Sequence, residues 1–295
     1  MSRKISLIIC TYNREKFIAA CLESCYNQSL PKSDYEVLII NNKCTDNTTS
    51  IVDLFIKNHP SLNCRQIVES QQGLSFARNR GIGESASQIL TFIDDDGIAD
   101  FNLLAYIVDQ FSEFPEYAGI GGKVNPIYET QEPEWYSPYL RMMVTAIDFG
   151  EHKFKCLGKK YPAGCNMSYR KKYLIEAGGF NNELKWRTDD KYIFQAVSRI
   201  NDNIYYIPTI EVQHHIDAAR ITDANFEKLS KMLGSEEKIR ILSINKWLYP
   251  AKLLEYLFKY IASFLIAIGY SLKCKAVKGK YIIKFRWYAL KGIID

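Results

Sequence analysis

Residues 90–97 read LTFIDDDG, an apolar run that ends in three consecutive carboxylates. A short apolar run closed by glycine is typical of a buried strand. Three adjacent carboxylates repel one another unless a cation lies among them. Since alternate residues of an extended chain point to the same side, Asp94 and Asp96 are predicted to converge and Asp95 to point elsewhere. Carboxylate oxygens suit Mg²⁺ or Mn²⁺, so the stretch predicts a divalent metal site, with a solvated acidic turn as the alternative.

Short β-branched runs alternate with amphipathic stretches before this motif. We expect strands at residues 5–10, 35–40, 64–68 and 89–93 and helices at residues 15–27, 46–57 and 75–85. Strands that are apolar on both faces and separated by helices predict an α/β fold, with a mostly parallel central sheet and helices on both faces. Ligands of such sheets bind beyond the carboxyl ends of the strands, where Thr11-Tyr12-Asn13, Asn41-Asn42 and the acidic triplet stand.

The pattern after the motif is less regular. We expect helices at residues 102–114, 171–177 and 189–199, a strand at residues 118–124 ended by Pro126, and a strand at residues 204–207. Between them lies a loop at about residues 125–138 that is rich in Pro, Trp and Tyr.

The charge balance changes near residue 222. Residues 222–295 contain 14 Lys+Arg and 6 Asp+Glu, a balance of +8, whereas the preceding residues sum to −3. Apolar residues recur at helical spacing between residues 253 and 268, but the run reaches the ~20 residues of a membrane span only by including Glu255 and Lys259. This pattern predicts a basic, helical tail that lies on an anionic membrane surface. The alternative is a stripe packed on the preceding domain or on a second subunit.

The cysteines and the N-terminal residues bear on the compartment. None of the eight cysteines forms a CxxC pair, and four histidines are too few for a clustered zinc site, so a reducing compartment is expected. The apolar run at residues 5–10 is too short for a signal-peptide core. We therefore expect a cytoplasmic protein, peripheral on the cytosolic face of the inner membrane, with no nucleic-acid partner.

Several ordered segments resemble family 2 glycosyltransferases with the GT-A fold. They are residues 5–30 with TYNR at 11–14, residues 40–48 (INNKCTDNT), residues 73–81 (GLSFARNRG) and residues 92–96 (FIDDD), which is similar to the family's DxD motif. GCNM at 164–167, GF at 179–180 and DD at 189–190 resemble its acceptor-side motifs. The resemblance implies a GT-A domain at residues 1–222, with a nucleotide-sugar half at about 1–100 and an acceptor half at about 101–222, followed by the tail at 223–295.

The resemblance implies a nucleotide-sugar donor held by the first half. Position 41 is usually acidic in the family and is said to meet the base; Asn41 is a departure, although its amide oxygen can still accept a hydrogen bond from uracil, so a UDP-sugar is expected. Arg78 is expected to reach the nucleotide or its diphosphate, with a surface salt bridge as the alternative. The expected nucleotide-binding residues are Thr11, Tyr12, Asn13, Arg14, Asn41, Asp46, Arg78, Asp94 and Asp95.

The expected metal ligands are Asp94, Asp96 and His214, which would hold Mn²⁺ or Mg²⁺. The family often has a histidine six residues before an arginine, and Arg220 selects His214 over His215 on that basis. A neutral imidazole could complete the metal sphere. The alternative is a structural histidine pair.

Asp189 and Asp190 stand where the family usually has Glu-Asp. Sugar transfer with inversion, which the resemblance implies, needs a base to remove the proton of the acceptor hydroxyl. The match in order makes Asp190 the base and Asp189 a neighbour that orients acceptor or metal. An ordinary helix start also favours two acids, which is the alternative.

The expected acceptor-binding residues are Gly164, Cys165, Asn166, Trp135 and Trp186. Either tryptophan could instead fill a core, Trp135 that of its own loop.

The expected function is metal-dependent transfer of a sugar from a nucleotide-sugar to a hydroxyl of a glycan or lipid-linked acceptor in surface polysaccharide synthesis. A nucleotidyltransferase is disfavoured because residues 5–16 lack a glycine-rich loop. A non-catalytic nucleotide-sugar-binding protein is disfavoured by the intact acidic residues.

Overall fold

The computed structural model describes residues 3–184 and 188–295. The chain forms two compact units, the first made of Met1–Asn125 and Ile147–His215 and the second of Pro126–Ala146 and Ile216–Asp295. The boundary after His215 lies close to the expected one at residue 222. The loop around residues 126–146 differs from the expectation, because it groups with the C-terminal helices.

The strands among the described residues form one nine-stranded sheet. They are β1 (Ile5–Thr11), β2 (Tyr35–Asn41), β3 (Cys64–Val68), β4 (Ile89–Asp94), β5 (Gly97–Ala99), β6 (Gly119–Tyr128), β7 (Phe154–Lys155), β8 (Met167–Arg170) and β9 (Ile204–Ile216). Their order is β3-β2-β1-β4-β8-β6-β9-β5, with β7 paired to β9. The first four strands are parallel, and β8 pairs antiparallel with both β4 and β6. The sheet is thus mixed, and the α/β prediction is confirmed.

Nine α-helices lie within the described ranges. They are α1 (Ile18–Tyr26), α2 (Thr48–Asn58), α3 (Leu74–Glu84), α4 (Leu103–Glu113), α5 (Lys171–Glu176), α6 (Asp189–Ser198), α7 (Asp223–Ile244), α8 (Tyr249–Ser271) and α9 (Ala276–Ile294). Short 3-10 helices occupy Arg141–Met143, Ala218–Ile221 and Lys246–Leu248.

The central strands are buried on both faces, as their uniformly apolar sequences predict. Ile5, Leu7 and Ile9 of β1 pack with residues of α1, α2 and α4 in one core cluster, whereas Ile8 packs with residues of α3, α5 and α6 in another. This alternation follows from the two-residue period of a strand. Helices therefore cover both faces, and the ligand-binding loops are left at the strand ends.

Strand register brings the polar segments of the sequence together. Cys10 lies opposite Asp94 on the neighbouring parallel strand, and Thr11 lies opposite Asn41 on the other side. The carboxyl ends of β2, β1 and β4 therefore meet at one edge of the sheet. This is the edge at which the sequence predicted the donor site.

Two strands are longer than the sequence predicted. β6 continues through Pro126, which was expected to end it, to Tyr128. β9 continues past residue 207 to Ile216 and pairs with β5, where Gly97 lies opposite His214. On β9 the side chain of His214 is buried and that of His215 is more exposed, as alternation along a strand requires.

The helices of the second unit approach one another closely at glycines. A methyl group on Gly234 of α7 would lie 2.1 Å from the carbonyl oxygen of Ala289 on α9. One on Gly292 of α9 would lie 1.9 Å from the carbonyl oxygen of Lys231 on α7. Any larger residue at these positions would push the two helices apart.

Candidate active site

The acidic motif converges with a histidine from β9. The ligand atoms of Asp94, Asp96 and His214 all lie within 4.8 Å of one another. Opposite ligands of a six-coordinate Mg²⁺ are about 4 Å apart, so the spacing suits one divalent ion. His214 Nε2 lies 3.1 Å from Asp96 Oδ1, and both side chains are buried. The donor set of two carboxylates and one imidazole therefore fits the expected metal site.

The side chain of Asp95 contacts the first loop. Its carboxylate accepts a hydrogen bond from the Tyr12 backbone N–H at 3.3 Å and pairs with Arg14 Nε, also at 3.3 Å. A second nitrogen of Arg14 lies 3.6 Å from Asp96. Burial, then the charge of Asp96, raises the pKa of Asp95 to about 7. A cation bound beside the triplet would lower this pKa again.

Arg78 connects the metal group to α6. Its guanidinium is buried, lies 3.3 Å from Asp94 Oδ1, forms an ion pair with Asp189 and donates to the carbonyl oxygen of Gly164 at 3.0 Å. A methyl group on Gly164 would lie 2.7 Å from this guanidinium, so the glycine makes room for it. The alternative of a surface salt bridge is therefore replaced by a buried one. Contact of Arg78 with a nucleotide stays a prediction.

The carboxylates of Asp189 and Asp190 have different surroundings at the start of α6. Asp189 is buried against Arg78. Asp190 is partly buried and accepts hydrogen bonds from the backbone N–H groups of Lys191 at 2.7 Å and Gly164 at 3.2 Å. Burial, together with the charge of Asp189, raises the pKa of Asp190 to about 6. A carboxylate with such a pKa is suited to accept a proton near neutral pH.

The amide of Asn41 is occupied within the loop that follows β2. Its Nδ2 donates to Thr49 Oγ1 at 2.8 Å and to Gln66 Oε1 at 3.2 Å, and its Oδ1 accepts from the Cys44 N–H at 2.9 Å. The side chain is buried. The amide nitrogen thus has two acceptors within the protein, whereas the oxygen accepts from Cys44 and can accept a second hydrogen bond. Contact of Asn41 with uracil stays a prediction.

Asn13 and Asp46 fasten the first loop to the second. Asn13 has a positive φ of 54°, and its side chain exchanges hydrogen bonds with Thr45 at 2.7 and 3.1 Å. Asp46 accepts from the N–H groups of Glu15 at 3.1 Å and Thr48 at 3.0 Å. These contacts fix the shape of the predicted nucleotide pocket.

Thr11 and Tyr12 differ in exposure. Thr11 is buried, whereas Tyr12 is 38% exposed and is the better placed of the two to contact a ligand. Nucleotide contact of Thr11, Tyr12, Asn13, Arg14 and Asp46 stays a prediction.

The predicted acceptor residues separate into two groups. The backbone of Gly164 contacts both Arg78 and Asp190 and lies in the site. Cys165 and Asn166 are buried, and Asn166 Nδ2 donates to the carbonyl oxygens of Lys123 and Ile210. Contact of these two residues with the acceptor stays a prediction, and their burial indicates that they support the site from behind. Trp186 lies outside the described residues.

Trp135 fills the core of the second unit. It is 5% exposed, and its ring centroid lies 5.1 Å from that of Phe226 on α7 and 5.9 Å from that of Tyr281 on α9. The structure thus agrees with the alternative that Trp135 plugs a core.

We expect Trp135→Ala to lower the free energy of unfolding by about 3–5 kcal/mol, because it leaves a cavity in this core. Urea denaturation measures the change. Trp247→Ala is the matched control, since Trp247 is 79% exposed and exposed changes usually stay within about 0.5 kcal/mol. An unchanged stability combined with a raised KM for acceptor would instead indicate that Trp135 binds the acceptor.

Two asparagines that order the site were not predicted. Asn79 of α3 exchanges hydrogen bonds of 2.8 Å with both backbone groups of Phe180, and Gly179 leaves space for its side chain. Asn42 donates to the carbonyl oxygens of Glu69 and Gln71 and accepts from the Gly73 N–H. The asparagine in the FARNRG segment and the double Asn-Asn were visible in the sequence, but their partners lie 27 to 101 positions away.

Comparison with known proteins identifies the family. Residues 6–178, more than half of the chain, match Glycosyl transferase family 2. A dolichyl N-acetyl-alpha-D-glucosaminyl phosphate 3-beta-D-2,3-diacetamido-2,3-dideoxy-beta-D-glucuronosyltransferase from Methanococcus voltae is 31% identical over 44% of this chain and 42% of its own. The poly(ribitol-phosphate) beta-N-acetylglucosaminyltransferase TarS from Staphylococcus aureus is 25% identical over 79% of this chain and 40% of its own. The chain thus spans less than half the length of these two relatives.

Solved structures share the fold. The mannosyltransferase PcManGT from Pyrobaculum calidifontis, in complex with GDP-Man and Mn²⁺, superposes with a TM-score of 0.66 at 15% identity, over 98% of this chain and 88% of that one. TarS residues 1–349 in complex with UDP-GlcNAc superpose with a TM-score of 0.55 at 14% identity, over 96% and 91%. At these identities the likeness establishes the GT-A fold.

Proposed function

Because the chain belongs to Glycosyl transferase family 2, we propose that it transfers a sugar from a nucleotide-sugar to a hydroxyl group, in a metal-dependent reaction that inverts the anomeric carbon. The observation that carries the proposal is the buried Arg78, which pairs with Asp94 of the metal group and with Asp189 beside the base. One side chain therefore contacts both the group that would bind the donor's metal and the helix start that carries the base.

Each group has a separate task in this proposal. Asp94, Asp96 and His214 would hold Mn²⁺ or Mg²⁺, which supplies positive charge to a diphosphate leaving group. Asp190 accepts the proton of the attacking hydroxyl, and the N–H of Gly164 keeps its carboxylate in place. Asp189 acts as a positioning residue. Its carboxylate neutralises Arg78, and this ion pair holds the start of α6 in place.

The donor and the acceptor are proposed by class. We propose a UDP-sugar donor, in line with the UDP-GlcNAc bound by the Staphylococcus protein, although the mannosyltransferase binds GDP-Man. The relatives named for dolichyl phosphate and poly(ribitol-phosphate) support a lipid-linked or polymeric acceptor in surface polysaccharide synthesis. Such acceptors would place the protein at the cytosolic face of the inner membrane.

A donor-hydrolysis screen tests this function. UDP- and GDP-sugars are incubated with the protein and Mn²⁺, and release of free nucleotide is measured with and without EDTA. We expect release from one nucleotide class, abolished by EDTA. Release of pyrophosphate from a nucleoside triphosphate would indicate a nucleotidyltransferase. Binding of a nucleotide-sugar without turnover, even with acceptor extracts, would indicate a non-catalytic binding protein.

A further inference from the structure

Helix α8 of the second unit exposes a continuous apolar face. Lys246–Ser271, which contains it, is the one helical segment of the described residues that is long and apolar enough to cross a membrane, and only 6% of its apolar stretch is buried. The face is formed by side chains that are 43% to 82% exposed and recur every three or four residues: Leu254, Leu257, Phe258, Ile261, Phe264, Leu265, Ile268 and Leu272. A patch of this extent marks an interaction surface.

The charged residues of α8 point the opposite way. Lys252 lies 3.4 Å from Glu237 of α7 and 2.7 Å from Glu255, and Lys259 also pairs with Glu255. Glu237 is buried and holds Arg240 of the same helix at 2.7 Å. A helix on the surface of a water-soluble protein has the reverse polarity, with its charges outward. The outer side of α8 is therefore built for an apolar environment.

α8 is fastened along its length to α9, which runs antiparallel to it. Tyr249 donates to the carbonyl oxygen of Ile293 at 2.9 Å near one end of the pair, and the rings of Tyr260 and Trp287 lie 5.4 Å apart near the middle. Near the other end, a methyl group on Gly279 would lie 2.7 Å from the Cα of Ala267. The two helices therefore pack against each other along their length.

α9 carries charges that prevent this pair from crossing a bilayer. Lys280 and Lys291 are exposed near its two ends, and Lys284 between them pairs with Asp223 and Glu227 of α7. Basic side chains are strongly disfavoured at the centre of a membrane. Since α8 cannot enter upright without drawing α9 in with it, the pair must lie parallel to the surface.

The charge around the apolar face selects an anionic bilayer as its occupant. The exposed Lys246 lies just before α8, and the exposed Lys273 and Lys275 follow directly after it. No acidic residue lies between residues 256 and 294. A second copy of the chain would bring like charges together, whereas anionic lipid headgroups attract them.

We propose that α8 lies in the plane of an anionic lipid bilayer, with its apolar face sunk into the headgroup–acyl boundary and α9 toward water. This inference goes beyond the proposed reaction and does not depend on the identity of donor or acceptor. It also specifies an orientation, which differs from that of a membrane-spanning helix and from that of a helix packed on protein.

Flotation of the full chain with vesicles tests the contact. We expect binding to vesicles of equal parts phosphatidylcholine and phosphatidylglycerol, release by high salt, and little binding to phosphatidylcholine alone. The double variant Phe258→Glu/Leu265→Glu changes two residues that are 71% and 74% exposed, and it should bind at least about tenfold more weakly with its thermal unfolding unchanged. The control, Leu54→Glu/Leu157→Glu, changes two exposed leucines of the first unit and should bind like the unchanged protein.

Immersion depth distinguishes the orientations. Nitroxide labels are placed singly at Leu254→Cys and Ile268→Cys in a Cys274→Ser background, which removes the one fully exposed cysteine. The sites are about 21 Å apart along the helix axis, so an in-plane helix gives equal depths and a spanning helix gives depths that differ by most of that distance. Unequal depths, equal binding to uncharged vesicles, or no binding to any vesicle would each overturn the proposal. So would a dimer in solution that the Phe258→Glu/Leu265→Glu variant dissociates, because a second copy would then cover the face.

Discussion

Replacement of Asp190 by Asn is expected to lower kcat by roughly 10²- to 10⁴-fold while the affinity for the nucleotide-sugar stays within about twofold. The amide keeps the size of the carboxylate, but its single oxygen can accept only one of the two hydrogen bonds from the Gly164 and Lys191 N–H groups. It cannot accept a proton at neutral pH, so the main loss is expected in the proton transfer, and thermal unfolding of the variant measures the effect of the lost hydrogen bond. Initial rates at saturating acceptor and calorimetric titration of the donor measure the two quantities.

The pH profile provides an independent measurement of the same group. Asp190 acts in its deprotonated form, and burial together with the Asp189 charge raises its pKa to about 6. We therefore expect kcat/KM to be low at acidic pH, to rise with pH through about 6 and then to level off. In Asp190→Asn this rise should be absent from the residual activity. A rise that persists in the variant would assign the titration to another group.

Asp189→Asn is the matched control because it makes the same replacement, carboxylate by amide, at the neighbouring residue. Asp189 is buried against Arg78, so its loss leaves that guanidinium with Asp94 and the Gly164 carbonyl as partners. We expect a lower free energy of unfolding and a smaller loss of kcat than in Asp190→Asn. If Asp189→Asn is the more damaging to turnover at equal stability, the assignment within the pair is reversed.

The identity of the site residues could be predicted from the sequence better than their contacts. The motif at residues 90–97 indicated a strand and two of the three candidate metal ligands because both depend on neighbouring residues, whereas His214 was selected by the resemblance. Arg78 has two carboxylate partners, Asp94 at 16 positions and Asp189 at 111 positions along the chain. Local sequence patterns contain no information on contacts over such separations. Its role as a buried link was therefore visible only in the fold.

Asn41 and β9 illustrate two further limits. The resemblance indicated that Asn41 meets the base, but the sequence could not indicate that its amide also contacts Thr49, Cys44 and Gln66. β9 was predicted to end near residue 207, where Pro208 and Thr209 interrupt the apolar run. Pairing with β5 extends the strand, because tertiary hydrogen bonds override local propensity.

The second large effect is expected at the metal group. Asp96→Ala should weaken Mn²⁺ affinity by about 100-fold or more, because loss even of an outer-sphere partner costs 10- to 100-fold. Donor binding should then be weak both with and without EDTA. The fold should survive, since removal of one of three adjacent carboxylates relieves repulsion within the triplet. Electron paramagnetic resonance of free Mn²⁺ measures the metal affinity without any need for turnover.

Asp95→Asn separates a specific ligand from a general loss of negative charge. Both variants remove one carboxylate from the same triplet, but the Asp95 side chain contacts the Tyr12 N–H and Arg14, and it is not part of the group formed with His214. An amide can keep the hydrogen bond to Tyr12. We therefore expect Asp95→Asn to change Mn²⁺ affinity by less than about tenfold, well below the effect of Asp96→Ala. Equal losses in the two variants would mean that the triplet attracts the cation by its total charge alone. Unchanged donor binding in Asp96→Ala, with and without EDTA, would rule out the metal site itself.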